Sequence, residues 1–173
     1  VIKNAINSIG FWIGDDVGNT ITKQKFNIEV VWPTIDNGVV VDYGDFEPKC
    51  WDEFWSKLSA EKIEECKANT KPKKEAWNQI RDFIDGLEVQ FPEQTHNIVF
   101  ATDNGSFDIA FINYSLELYT NRAPMRYSSA GKYRRILQAD DAFKTLPKEL
   151  NTHAWNKIAG VVEHDHDPVN DAH

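Results

Sequence analysis

Ile9, Phe11 and Ile13 alternate with smaller or polar residues, the two-residue period of a half-buried β-strand, and predict a strand over residues 5–13. Turn formers crowd the next stretch, Gly14-Asp15-Asp16-Val17-Gly18-Asn19, so residues 21–31 read as the returning strand of a hairpin. The period then changes. Trp51, Phe54, Trp55 and Leu58 fall at the intervals of one helical face, with Trp55 assigned to the core, and a second helical segment covers residues 60–68. Trp77, Ile80, Ile84 and Leu87 repeat the helical spacing up to a stop expected near Gly86. Residues 97–102 contain the apolar run Ile98-Val99-Phe100-Ala101, which reads as a buried strand ending in the turn Asp103-Asn104-Gly105. Beyond it Phe107, Phe111, Tyr114 and Leu118 mark an amphipathic helix, giving a strand, turn and helix in succession, the skeleton of an α/β sheet. Residues 122–146 carry weaker signals: a loop through Pro124, a short strand at Ile136-Leu137 and a helical turn near Phe143. Asp167 fits an N-cap and Pro168 the first helical position, so a further helix is expected to begin there.

Composition narrows the class. A chain of 173 residues with 41% hydrophobic and 12% aromatic content can bury one sizeable core, and residues 1–173 are expected to form a single domain. Val1 stands directly before a strand and His173 just after a helix start, so the pattern is that of a domain truncated at both ends. Cys50 and Cys66 are too few for a zinc cluster or a disulfide framework, which points to reduced thiols in a cytoplasmic protein. No apolar run approaches the roughly 20 residues that span a bilayer, and no membrane partner is expected. The net charge of −8 argues against broad, charge-driven binding to duplex nucleic acid. It leaves room for a carboxylate site that divalent cations neutralise. Basic residues gather at Lys71, Lys73 and Lys74, read as a solvated face, and at Arg122, Arg126, Lys132, Arg134 and Arg135, where a contact to a phosphate backbone is open.

Two short patterns carry candidate chemistry. The first, Asn104-Gly105-Ser106-Phe107-Asp108-Ile109-Ala110-Phe111, spans the junction of the expected strand and helix. Alone, an Asp there is most often a cap or a partner of the helix dipole. The second, His164-Asp165-His166-Asp167-Pro168-Val169-Asn170-Asp171-Ala172, alone reads as a polar loop capping a helix or an adventitious cation site. In this order the two resemble the second and third motifs of the DEDDh-type 3′–5′ exonucleases. In the second motif a small polar and aromatic run precedes an Asp, and a further aromatic follows three positions later; in the third, a His is followed five positions on by an Asp and a small residue. Glu47-Pro48-Lys49-Cys50, leading into Phe54-Trp55, is similar to the element after the first hairpin in the short phage and viral members of that group.

The resemblance implies a ribonuclease H-like α/β fold, a mixed β-sheet flanked by helices, and removal of nucleoside monophosphates from the 3′ ends of single-stranded DNA or RNA. It implies two Mg²⁺ or Mn²⁺ ions held by carboxylates, with Asp108 and Asp171 as metal ligands. His166 matches the general base, a task suited to an imidazole near neutral pH; His164 stands two positions too early. Asn104 and Phe107 match positions that shape the pocket for the terminal nucleotide, with core packing an equal alternative for Phe107. The family's first motif, Asp-x-Glu on the opening strand, has no counterpart in residues 1–13. Asp45-Phe46-Glu47 has the right letters but follows the hairpin, and reads instead as polarity beside a helix start. The 173-residue chain is therefore expected to be weakly active or inactive as a nuclease. The rival expectation is a non-catalytic ribonuclease H-like module that binds nucleic acid or a protein.

Overall fold

The computed structural model describes residues 6–15, 19–91, 99–102, 108–122 and 135–138, and is mixed α/β. The chain divides into two compact units, Val1–Ala76 and Trp77–His173.

The first unit opens with the expected hairpin. Strands β1 (Ser8–Gly14) and β2 (Thr20–Asn27) pair antiparallel, with Ile9 opposite Phe26, and both of these side chains are buried. The strand reading of residues 21–31 overshoots: after Asn27 the ladder gives way to a single parallel bridge between Ile28 and Lys71. Glu29 N–H donates to the Lys71 carbonyl at 2.8 Å and Lys71 N–H to the Asn27 carbonyl at 3.1 Å. The backbone thus pairs with a distant segment where a longer β2 was expected. Asn7, buried, completes this corner by donating through Nδ2 to the carbonyls of Ile28 and Cys66.

A second hairpin, β3 (Thr34–Asp36) with β4 (Val39–Asp42), goes beyond the two strands expected in this region. Its cue is local: Asn37 and Gly38 both have positive φ, 50° and 79°, the requirement of a two-residue type I′ turn. Chain direction then reverses again at Gly44, whose φ of +57° and close approach to the Val31 carbonyl leave no room for a Cβ.

Helix α1 (Pro48–Glu53) starts where Glu47 accepts a hydrogen bond from Cys50 N–H, with proline in its first turn. The continuous helix expected over residues 51–58 is broken at Phe54, and a single 3-10 turn, Trp55–Lys57, follows. Trp51 and Trp55 both meet buried Phe46, at centroid distances of 5.5 and 5.3 Å, while Phe54 is left exposed. Val30, Phe46 and Trp51 form the centre of this core, with Trp32, Val40, Tyr43 and Trp55 around it. The assignment of Trp55 to the core therefore holds. Helix α2 (Ala60–Lys67) is capped by Ser59, which accepts from Lys62 N–H.

Helix α3 (Lys73–Gln90) runs across the division between the units, and the rest of the described chain belongs to the second. Its expected face is observed: Trp77, Ile80, Ile84 and Leu87 are all buried. The stop expected at Gly86 does not occur, because burying Leu87 one turn after Ile84 outweighs the ~1 kcal/mol that a helical glycine costs. Strand β5 (Val99–Thr102), helix α4 (Asp108–Thr120) and strand β6 (Arg135–Gln138) follow, and β5 and β6 pair in parallel from Val99 opposite Arg135 to Thr102 opposite Gln138. The strand, helix, strand order expected from sequence is present.

The face of α4 differs from expectation. Tyr114 and Leu118 are exposed, whereas Ile109 and Leu116 are buried and Tyr119 stacks on Trp77 with ring planes 5° apart. Apolar residues occur on nearly every side of this helix, so the period alone cannot choose the inward stripe. Among the described residues no helix is long and apolar enough to cross a membrane.

Candidate metal centre

Asp108 is the first residue of α4, six positions beyond Thr102, the last residue of β5. The side chain is half-buried. Two local effects favour a carboxylate here. The first four N–H groups of a helix lack intrahelical acceptors, and the aligned peptide dipoles place partial positive charge at this end. The topology adds a third element. Because β5 and β6 run in the same direction, their carboxyl ends lie side by side at Thr102 and Gln138, and α4 with Asp108 at its start is the next described element after β5. In parallel α/β sheets, ligands collect beyond the carboxyl ends of the strands.

The remaining residues of the expected site, Asn104, Phe107, His166 and Asp171, together with the competing His164, lie outside the described residues. Asp108 is thus the one member whose position is described. A carboxylate at this place has the hard oxygen donors that Mg²⁺ and Mn²⁺ prefer. Among the described residues, no three His, Cys, Asp or Glu side chains come together in a group able to hold a metal ion.

Asp45 and Glu47, the pair with the letters of the family's first motif, are engaged in holding the backbone. Glu47 caps α1 through a 2.8 Å bond from Cys50 N–H. Asp45 Oδ2 accepts Val31 N–H at 2.7 Å and forms an ion pair with Lys73, while Asp45 N–H donates to the Val31 carbonyl at 2.9 Å. Phe46 between them is fully buried. Glu47 occupies the position beside a helix start that its sequence context implied. Asp45 does more than provide polarity, since it joins the two ends of the β3–β4 hairpin.

The basic clusters also acquire partners. Lys71 pairs with Glu75 at 3.2 Å, and Lys73 with Asp45. Arg122 Nη1 lies 2.6 Å from Asp85 Oδ2 on α3, so one residue of the second cluster is committed to an ion pair within its own unit. Arg126, Lys132 and Arg134 lie outside the described residues. One polar group that sequence spacing does not single out is Asn113 on α4, whose Oδ1 is buried with no hydrogen-bond partner among the described residues. No periodic signal marks it, because an Asn within an apolar helix reads only as an interruption.

A scan against protein-family models, a search of curated proteins and a search of solved structures each found no match.

Proposed function

We propose that the protein is a metal-dependent 3′–5′ exonuclease of ribonuclease H-like fold, acting on single-stranded DNA or RNA ends. The observation that carries the reading is the place of Asp108, on the first turn of the helix that follows β5, in a unit whose strands run parallel. That is the context the second exonuclease motif requires, and the order and spacing of His166 and Asp171 supply the third.

Bound cations would supply Lewis-acid stabilisation of the charge that develops on the phosphodiester. Asp108 and Asp171 would hold them through carboxylate oxygens. His166 takes the proton of the attacking water. Asn104 and Phe107 orient that nucleotide, Phe107 by stacking on its base.

The test combines Mn²⁺ titration by calorimetry with cleavage of labelled single-stranded oligonucleotides. Asp108→Asn should weaken Mn²⁺ binding and abolish whatever weak 3′ shortening the 173-residue chain shows, and His166→Ala should spare Mn²⁺ binding while lowering that residual cleavage. Mn²⁺ binding that is indifferent to Asp108→Asn would refute the metal-ligand role. Oligonucleotide binding without Mn²⁺ dependence would favour the non-catalytic module.

A further inference from the structure

Directly opposed residues of an antiparallel pair project from the same face of the sheet, so the register of β1 with β2 sorts the first hairpin into two faces. Ile9, Phe11 and Ile13 share one face with Phe26, Gln24 and Thr22; Ile9 and Phe26 are buried there, and Phe11 meets Phe26 edge to face at 6.0 Å. Ser8, Gly10, Trp12 and Gly14 share the other, outward face with Asn27, Lys25, Lys23 and Thr20. Among the paired residues of the outward face, Trp12 is the one large apolar side chain. The alternation that folds the hairpin does not call for an aromatic ring there.

Trp12 is held in place. Its Nε1 donates to Thr20 Oγ1 at 2.9 Å, and its six-membered ring lies over Gly14, where an added Cβ would collide with Cη2 and stand 2.8 and 3.0 Å from Cζ3 and Cζ2. The side chain is half-buried and rests on its own strand, so a ligand that stacks on it costs little further ordering. A ring held in this way suits a planar aromatic ligand. Insertion into a bilayer requires instead an apolar face that projects, and the apolar face of this hairpin is the opposite one.

Charge selects the ligand. Lys23 stands directly across from Trp12 and Lys25 across from Gly10, and the paired residues of this face include no carboxylate. Beyond one end of the face, Asp15 gives both carboxylate oxygens to Asn19; beyond the other, Glu29 is bonded through its backbone to Lys71. Two steps along a strand separate the lysines by about 6.6–6.8 Å, close to the spacing of successive phosphates on an extended single strand. In a chain of net charge −8 this is a local cationic stripe beside an aromatic ring, the pairing that holds single strands by phosphate contact and base stacking together. We propose that the outward face of the β1–β2 hairpin binds single-stranded nucleic acid, with one base stacked on Trp12 and successive phosphates at Lys23 and Lys25. The surface belongs to the first unit, whereas Asp108 belongs to the second, and it requires no metal ion.

The test is a fluorescence-anisotropy titration of the full chain with labelled oligothymidylate in EDTA, where a metal-dependent site contributes neither binding nor cleavage. Saturable binding is expected. Trp12→Ala should weaken it by roughly 5–150-fold, the worth of one base stack. The double substitution Lys23→Gln, Lys25→Gln should reduce the slope of log affinity against log salt by about 1.4, since each phosphate contact to a single strand contributes about 0.7. It should leave the melting temperature intact, and it decides the matter if Trp12→Ala fails to fold. Asp108→Asn should bind as the unaltered chain does, so this surface and the metal centre stand or fall separately. Absence of saturable binding, equal affinity for a duplex, full affinity in folded Trp12→Ala, or a salt slope indifferent to the lysines would overturn the proposal. So would binding to phosphatidylserine vesicles in place of the oligonucleotide, which would make the face a membrane contact.

Discussion

Replacing Asp45 separates a structural carboxylate from a catalytic one. Its side chain accepts Val31 N–H at 2.7 Å and pairs with Lys73, both side chains of the pair being about one-third exposed. A hydrogen bond to a charged acceptor contributes about 1.5–3 kcal/mol. The low end applies, because Val31 is exposed and water can replace the lost acceptor. The partly screened ion pair adds about 0.5–1 kcal/mol. Asp45→Ala should therefore destabilise by about 2–2.5 kcal/mol, a fall of roughly 4–10 °C in melting temperature if unfolding is cooperative. Asp45→Asn keeps an acceptor for Val31 N–H and should lose only about 1 kcal/mol, close to the loss in Lys73→Met. Urea denaturation of the two single variants and of the double variant isolates the pair as their coupling energy. Oligonucleotide cleavage and Mn²⁺ titration on the same samples complete the experiment: Asp45→Asn should leave both unchanged, whereas Asp108→Asn should not. An Asp45→Ala loss below about 0.5 kcal/mol would refute the structural role. Cleavage or Mn²⁺ binding that falls with Asp45→Asn in a folded protein would identify Asp45-Phe46-Glu47 as the first acidic motif after all.

Glycines supply two predictions of opposite sign. Gly86 lies inside α3 with no atom near the place a Cβ would occupy, so Gly86→Ala should stabilise by about 0.5–1 kcal/mol in urea denaturation. Gly44→Ala should destabilise by more than about 2 kcal/mol in the same assay, since the left-handed backbone costs about 1 kcal/mol and the Val31 carbonyl, which stands where the Cβ would go, must also move.

Local chemistry was legible wherever one signal dominated. The alternation around Ile9 and Phe11 and the turn formers after Gly14 specify the first hairpin, and the spacing of Trp77, Ile80, Ile84 and Leu87 specifies the buried face of α3. Asn37-Gly38 is an equally local signal, for a hairpin that a reading focused on longer apolar runs passes over. In the candidate site, the helix start at Asp108 follows from the turn residues before it and the apolar spacing after it.

Tertiary structure decided matters in which several local arrangements have similar energies. Apolar residues surround α4, and the folded chain buries Ile109 and Leu116 and stacks Tyr119 on Trp77 while Tyr114 and Leu118 stay exposed. Helical spacing allowed one helix through Trp55, whereas the folded chain breaks it at Phe54 while Trp51 and Trp55 both meet Phe46. The assignment of Asp45 to Val31 and Lys73, residues 14 and 28 positions away, was decided at the same level. Sequence determines which conformations each short segment prefers, because those preferences depend on neighbours a few residues apart; only the folded chain brings together the distant groups that decide which face is buried and which carboxylate is used.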